Sequence, residues 1–266
     1  MSQLLVRDVY TKLDEIAPCA TMMDFDNVGL LVGRMEREVS HVLVALDITE
    51  EVIDEAAELG AELIVAHHPL IFTPLRRVTD EDMIGRAVLK LAQHDIAAIC
   101  MHTNLDAAPG GVNDQLAKAV GLPAEREILM PMGEWDGVPY GQGRVGDLPA
   151  PMTMEAFLEQ VKQGVKTKGI RYYDAGRPVS RVAVMGGSGS DQLQLAIAQG
   201  CDTYVVGEVK YHTFLEAREL GVNLVEADHF CTEDVVSDPL RQMLSRAFPG
   251  LAVTVSRRHN QTVRFF

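Results

Sequence analysis

The sequence predicts an α/β protein built from two α/β domains with mostly parallel sheets. The first observation behind this is a set of four short apolar runs that end in ionisable residues. Leu63-Ile64-Val65-Ala66 ends in His67-His68-Pro69, and Ile96 to Met101 ends in His102-Thr103-Asn104-Leu105-Asp106. Thr203-Tyr204-Val205-Val206 ends in Gly207-Glu208, and Asn223 to Ala227 ends in Asp228-His229, with Glu233 following. Apolar runs this short, rich in β-branched residues, read as central strands covered on both faces. The second observation is a shared register. Gly60, Gly200 and Gly221 each fall where a helix should stop, and a polar pair follows each by seven and eight residues. Glycine past a helix end, then a strand, then functional residues is half of an α/β unit. Ligands of such sheets collect beyond the carboxyl ends of the strands.

The elements follow in order. Val6, Val9, Tyr10, Leu13 and Ile16 keep helical spacing, and Pro18 stops it. Val42 to Ile48 is nearly all apolar, as a doubly covered strand should be. Thr49 suits the N-cap of a helix that turns Val52, Ile53 and Ala56 to the sheet and stops at Gly60. After the strand to His67-His68 come a loop with Pro74, Arg76 and Arg77, a helix from near Asp80 to Gln93, and the strand to His102. Alternating strands and helices imply parallel pairing with right-handed crossovers. From Leu122 to Ala150 the texture changes, with prolines at 123, 131, 139 and 149 and glycines at 133, 137, 141, 143 and 146 punctuating short segments. A second α/β run follows: a helix near Met154–Val165, a strand at Arg181–Met185, the loop Gly186-Gly187-Ser188-Gly189-Ser190, and a helix ending near Gln199. The expected division is a metal-binding domain of residues 1–124 and 222–266 with an inserted domain of residues 125–221. The return at 222 follows from requiring His229 and Glu233 to meet His67 and His68.

Composition narrows the function classes. A chain of 266 residues has room for one large or two medium domains with ample core. A net charge of −14 argues against a general nucleic-acid or membrane surface, which needs excess Lys and Arg. It leaves an anionic substrate open, because metal ions can supply local positive charge. Cys19, Cys100, Cys201 and Cys231 show no CxxC spacing and read as thiols of a reducing cytosol. No membrane-length apolar stretch and no charged-then-apolar leader is found, so the expected location is cytoplasmic.

The chemistry concentrates at the strand ends. Neighbouring residues on a strand point to opposite faces, and Pro69 ends the ladder, so His67 and His68 are suited to holding two ions side by side. Alone, the tripeptide reads equally as a polar turn. If a helix starts near His229, the four-residue spacing puts His229 and Glu233 on one face, within reach of shared metal or simply as an exposed pair. With Asp106 these make three imidazoles and two carboxylates, a set suited to two divalent ions such as Zn, Mn, Fe, Co or Ni rather than calcium. Glu208, His102 and His212 are the candidate proton carriers beside them. His41 and His259 read as solvent-exposed, and His94 as a helix-end residue. The glycine loop either offers amides to phosphate or is a tight turn that needs small residues; it lacks the P-loop lysine.

Taken together, Asp26-Asn27-Val28-Gly29-Leu30-Leu31-Val32-Gly33, His67-His68-Pro69, His102-Thr103-Asn104-Leu105-Asp106 and His229-x-x-Thr232-Glu233 resemble the NIF-three-like dinuclear metal proteins, many of which are labelled GTP cyclohydrolase 1 type 2. The resemblance runs along essentially the whole chain. It implies a two-domain α/β fold with two metal ions in the cleft between the domains, and a toroidal homohexamer. It also implies that His68 and Asp106 hold one ion, His67 and His229 the other, and Glu233 bridges both. Three positions depart from the family pattern: Phe25 replaces the usual Trp, Leu31 a Gln, and Asp228 a Gly before the last histidine. The leading expectation is a metal-dependent hydrolase acting on a nucleotide or phosphoester, with opening of the guanine ring of GTP as the reaction the label implies. The alternative is a non-catalytic metal-binding chaperone or scaffold.

Overall fold

The computed structural model describes residues 3–266. The chain divides into two compact units: one runs up to Leu105 and includes Ser237–Asn260, the other is Asp106–Val236 with Gln261–Phe266.

The first unit contains α1 (Val6–Ile16), β1 (Gly29–Val32), β2 (His41–Ala45), α2 (Glu50–Leu59), β3 (Leu63–Ala66), α3 (Met83–Gln93) and β4 (Ala97–Cys100). Its sheet runs β1-β4-β3-β2 and ends on the C-terminal strand Ala252–Val255. All pairings are parallel except β1 on β4. Leu43, Ala45, Ile64, Ala66, Ala98 and Cys100 pack with Val52, Ile53 and Ala56 of α2 and Ala87 and Leu91 of α3. The intervening residues Val42, Val44, Leu63, Val65, Ala97 and Ile99 are buried as well, which is why these strands are apolar throughout. Thr49 caps α2 by accepting from the Val52 amide, and Gly60 ends it in the left-handed region at φ 66°. The helix expected from near Asp80 begins at Met83, because the Asp82 carboxylate takes the cap by accepting from Gly85 N at 2.7 Å.

α4 (Thr103–Ala107) carries the chain into the second unit, which continues with α5 (Val112–Ala119), β5 (Glu127–Trp135), β6 (Val138–Met152), α6 (Met154–Val165), β7 (Arg171–Tyr173), β8 (Val179–Met185), α7 (Leu193–Ala198), β9 (Thr203–Val206), α8 (Tyr211–Leu220), β10 (Asn223–Glu226) and α9 (His229–Glu233). The strand order is β5-β6-β8-β9-β10-β7. Only β8–β9 and β9–β10 are parallel; the other three pairings are antiparallel. "Mostly parallel" therefore describes the first sheet, and the second is mixed. The Pro- and Gly-rich stretch after Leu122 is a long hairpin rather than a string of short segments. Asp136 and Gly137 both have positive φ, as a two-residue turn between twisted strands requires, and register shifts at 131–133 and 147–152 absorb the prolines. Successive residues of β8 alternate: Val182 and Val184 pack with α5 and α6, Ala183 and Met185 with α7.

The contacts divide the chain differently from the boundaries expected at 124 and 222. β10 pairs in parallel with β9, so Asn223–Val236 stays with the second unit, and only Ser237–Asn260 returns to the first. Hydrogen bonding in the sheet, which periodicity does not reveal, decides the allocation.

Glu55 of α2 fixes the end of the C-terminal strand. Its carboxylate accepts from Ser256 Oγ at 2.5 Å and from the amides of Arg257 at 2.9 Å and Arg258 at 3.2 Å. Burial opposes its ionisation, but the Ser256 hydroxyl, the two amides and the Arg258 charge outweigh that and hold its pKa below the usual glutamate value. The stability this supplies is present above the unfolded-state pKa of about 4.3 and is lost as pH falls through the depressed native value. Glu55→Gln should cost about 2 kcal/mol at pH 7. Urea melts should show the difference from wild type narrowing below about pH 4; a difference independent of pH would contradict this account.

Candidate metal centre

In-register parallel pairing sets the site residues level. In the first sheet Ala45, Ala66 and Cys100 are partners across β2, β3 and β4. Two residues beyond each lie Asp47, His68 and His102, with His67 one residue beyond β3. His67, His68 and His102 each offer a ring nitrogen, and these atoms all lie within 4.8 Å of one another. His67 is buried, the other two half-buried. The sequence suggests proton transfer for His102; the structure sets it among the candidate ligands.

Each ring is oriented through Nδ1. His67 Nδ1 faces the Met101 carbonyl at 2.8 Å, His68 Nδ1 faces Asp47 Oδ1 at 2.7 Å, and His102 Nδ1 faces Asp26 Oδ1 at 2.8 Å. A carbonyl or carboxylate oxygen accepts, so Nδ1 is the donor in each of these contacts. Metal-binding histidines are held by this arrangement. Asp26 is itself buried and also accepts from Thr103 N at 3.0 Å and Thr103 Oγ1 at 2.5 Å. Burial pushes its pKa up, but the bonds from His102 and Thr103 outweigh that and bring it down to about 2.

The second unit repeats the pattern. Met185, Val206 and Glu226 are partners across β8, β9 and β10. Two residues beyond each stand Gly187, Glu208 and Asp228, and His229 opens α9. His229 Nδ1 faces Glu208 Oε1 at 2.8 Å, and its Nε2 lies 3.0 Å from Glu233 Oε2, one helical turn on. Glu233 is buried, while Glu208 sits at the rim and accepts from Ser188 Oγ at 3.0 Å. Asp106 lies on α4, and its backbone carbonyl accepts from Asn113 Nδ2 at 3.1 Å. His212 is exposed on α8 and makes no hydrogen bond to His229, Glu208 or Glu233 among the described residues.

The glycine loop makes room. A Cβ on Gly187 would lie 2.1 Å from Glu233 Oε1 and 3.2 Å from His229 Nε2, and its φ is +61°. Its amide donates to Thr232 Oγ1 at 3.2 Å and that of Gly186 to Asn113 Oδ1 at 3.0 Å. Both amides are thus committed within the fold, which favours the small-residue turn over a phosphate cradle. Asp228 caps α9 by accepting from Cys231 N at 3.1 Å. It does so at φ 75° and ψ 133°, a region disfavoured for any residue but glycine. The departure from the family pattern at this position therefore carries backbone strain.

Sequence reasoning missed Asp47 and the orienting role of Asp26. Asp47 had the same signal as the other sites, an acid just past an apolar run. Asp26 opens the motif that runs to Gly33, but its partner is 76 positions away.

The donor set, imidazoles with carboxylates, fits borderline divalent metals. The molecule is thus an α/β protein whose strand ends carry a candidate metal-binding set. The family model for Duf34/NIF3 (NGG1p interacting factor 3) matches residues 4–262, and the chain belongs to that family. A Clostridium perfringens protein called GTP cyclohydrolase 1 type 2 homolog is 36% identical over 229 residues, 86% of each chain. A Clostridium acetobutylicum protein of the same name is 31% identical over 98% of this chain and 99% of its own length. The solved structure of a Bacillus cereus protein related to NIF3 superposes with a TM-score of 0.92 at 28% identity and full coverage of both chains.

A paired substitution separates the two roles of the glycine loop. Gly60 has a similar φ of +66°, but a Cβ there would meet nothing within 4 Å. Gly60→Ala should cost about 1 kcal/mol and leave metal uptake intact. Gly187→Ala should cost more and reduce metal bound per chain, read by elemental analysis beside melting curves. Equal losses with metal retained in both would show that Gly187 serves only its turn.

Proposed function

We propose that the two sets of strand-end residues close on a pair of divalent ions, and that the protein is a metal-dependent hydrolase acting on a nucleotide or phosphoester. The observation that carries this is the common orientation of four imidazoles. His67, His68, His102 and His229 each face an oxygen acceptor through Nδ1, the arrangement by which metal-binding histidines are commonly oriented. In this reading His67, His68, Asp106 and His229 would be ligands, and Glu233, one helical turn from His229, would be the shared one. Bound there, such ions, whether Zn, Mn, Fe, Co or Ni, would supply Lewis acidity and lower the pKa of a water. The residues do the rest. Asp47, Asp26 and Glu208 hold the rings in place, and Glu208, exposed at the rim, is the group placed to move a proton to and from solvent. The name shared by the relatives makes ring opening of GTP one candidate reaction. A homohexamer, as the resemblance implies, would give a light-scattering mass six times that of the chain, and a monomer at micromolar protein would refute it. No helix among the described residues is long and apolar enough to cross a membrane.

Turnover of a nucleotide and phosphoester panel by metal-loaded protein, abolished by His68→Ala, is the expected result. Tight metal binding with no turnover across the panel would favour the chaperone or scaffold reading instead. Glu233→Gln should lose at least one ion per chain while the melting curve stays cooperative. Asp228→Asn retains the helix cap, so its metal affinity should fall by no more than roughly 10- to 100-fold. The reverse ranking in metal content would overturn these assignments.

A further inference from the structure

Two phenyl rings stand in solvent beside the first set of histidines. Phe25 is 62% exposed and Phe72 44% exposed, the reverse of what large apolar side chains normally do. They meet edge to face with centroids 6.2 Å apart, and Phe72 meets the His102 ring in the same way at 6.1 Å. Their exposure is not that of loose loops. Asp26, next to Phe25, is buried on His102 and Thr103, and Asn27 donates from Nδ2 to the Ile71 carbonyl at 2.5 Å, next to Phe72. The two loops are therefore clipped together at the positions that flank the rings. Arg76 and Arg77, both exposed, follow Phe72 in the same β3–α3 loop.

From this we infer that Phe25 and Phe72 form a stacking platform for the planar heteroaromatic ring of a phosphate-bearing substrate, a nucleotide rather than a simple sugar or alkyl phosphate. The inference rests on the hydrolase reading and narrows its substrate class. An edge-to-face pair leaves a ring face open at a fixed angle to a second ring, a corner that takes one planar group and wastes its area on a flexible chain. Stacking tolerates any base, so the platform selects rings without selecting a particular one. Continuity of the platform with His102 sets the bound ring beside the candidate metal ligands, and Arg76 and Arg77, four and five residues after Phe72 in the same loop, are the cations closest in sequence for a phosphate.

The test compares dissociation constants of AMP, GMP and ribose 5-phosphate for the full chain loaded with Mn²⁺, by calorimetry. Phe25→Ala and Phe72→Ala should each weaken both nucleotides by about tenfold or more and leave ribose 5-phosphate within about twofold. Phe25→Trp should retain nucleotide affinity, and its added indole emission should be quenched by AMP but not by ribose 5-phosphate. Melting curves check folding, which truncating an exposed ring should leave intact. Unchanged nucleotide affinity in both alanine variants overturns the platform and leaves the hydrolase reading standing. So does a change in assembly mass without a change in affinity, which would make the rings a contact between copies of the chain. If the wild-type protein neither binds nor turns over nucleotides or ribose 5-phosphate, the platform and the hydrolase reading fall together.

Discussion

Parallel strands paired in register end at the same level, and each candidate ligand set depends on that constraint. In the first unit the partnership of Ala45, Ala66 and Cys100 puts Asp47, His68 and His102 side by side without any contribution from loops. In the second, the partnership of Met185, Val206 and Glu226 does the same for Gly187, Glu208 and Asp228. A one-residue slip in either register would turn the side chains to the opposite face and separate each imidazole from its acceptor. The strands resist a slip because both faces are buried. Val65 and Ile64, or Val205 and Tyr204, would have to exchange environments that fit them to different neighbours.

Orientation is added by oxygen acceptors rather than by packing. Met101 supplies a carbonyl, Asp26, Asp47 and Glu208 supply carboxylates, and each takes the Nδ1–H of one ring. Asp26 remains ionised despite burial because Thr103 bonds it through both amide and hydroxyl. An imidazole fixed in this way has lost most of its freedom in the fold itself, so less order would have to be gained on binding a ligand. The glycines serve the same end by subtraction. Gly187 leaves the space that Glu233 occupies, and a Cβ on Gly207 would lie 2.8 Å from Thr232 Oγ1, which receives the Gly187 amide.

Much of this was legible in the chain. The apolar runs marked β3, β4, β9 and β10, and the ionisable residues that ended them included the candidate ligands His67, His68 and His229. The turn chemistry of the Asp136-Gly137 hairpin was present too, but dense prolines obscured it, since a proline in a strand normally argues against one. β10 is recognisable as a strand, but its own sequence says only that it is buried and not which edge it joins. The acceptors were the least visible. Asp26 and His102 are 76 positions apart, Asp47 and His68 21, and no local period links residues at such separations.

What the sequence determined by itself is the set of elements and the chemistry at their ends, because burial pattern, caps and donor type are local properties. Thr49 caps α2 and Gly60 ends it whatever the rest of the chain does. The tertiary structure decided partnership: which strand lies beside which, which oxygen holds which imidazole, and which glycine must lack a side chain. It also decided that Phe25 and Phe72 stand exposed and paired, a fact that no apolar pattern contains. Each of these depends on groups distant in sequence that meet only when the sheets form, so their energies belong to the assembled fold and not to any segment of it.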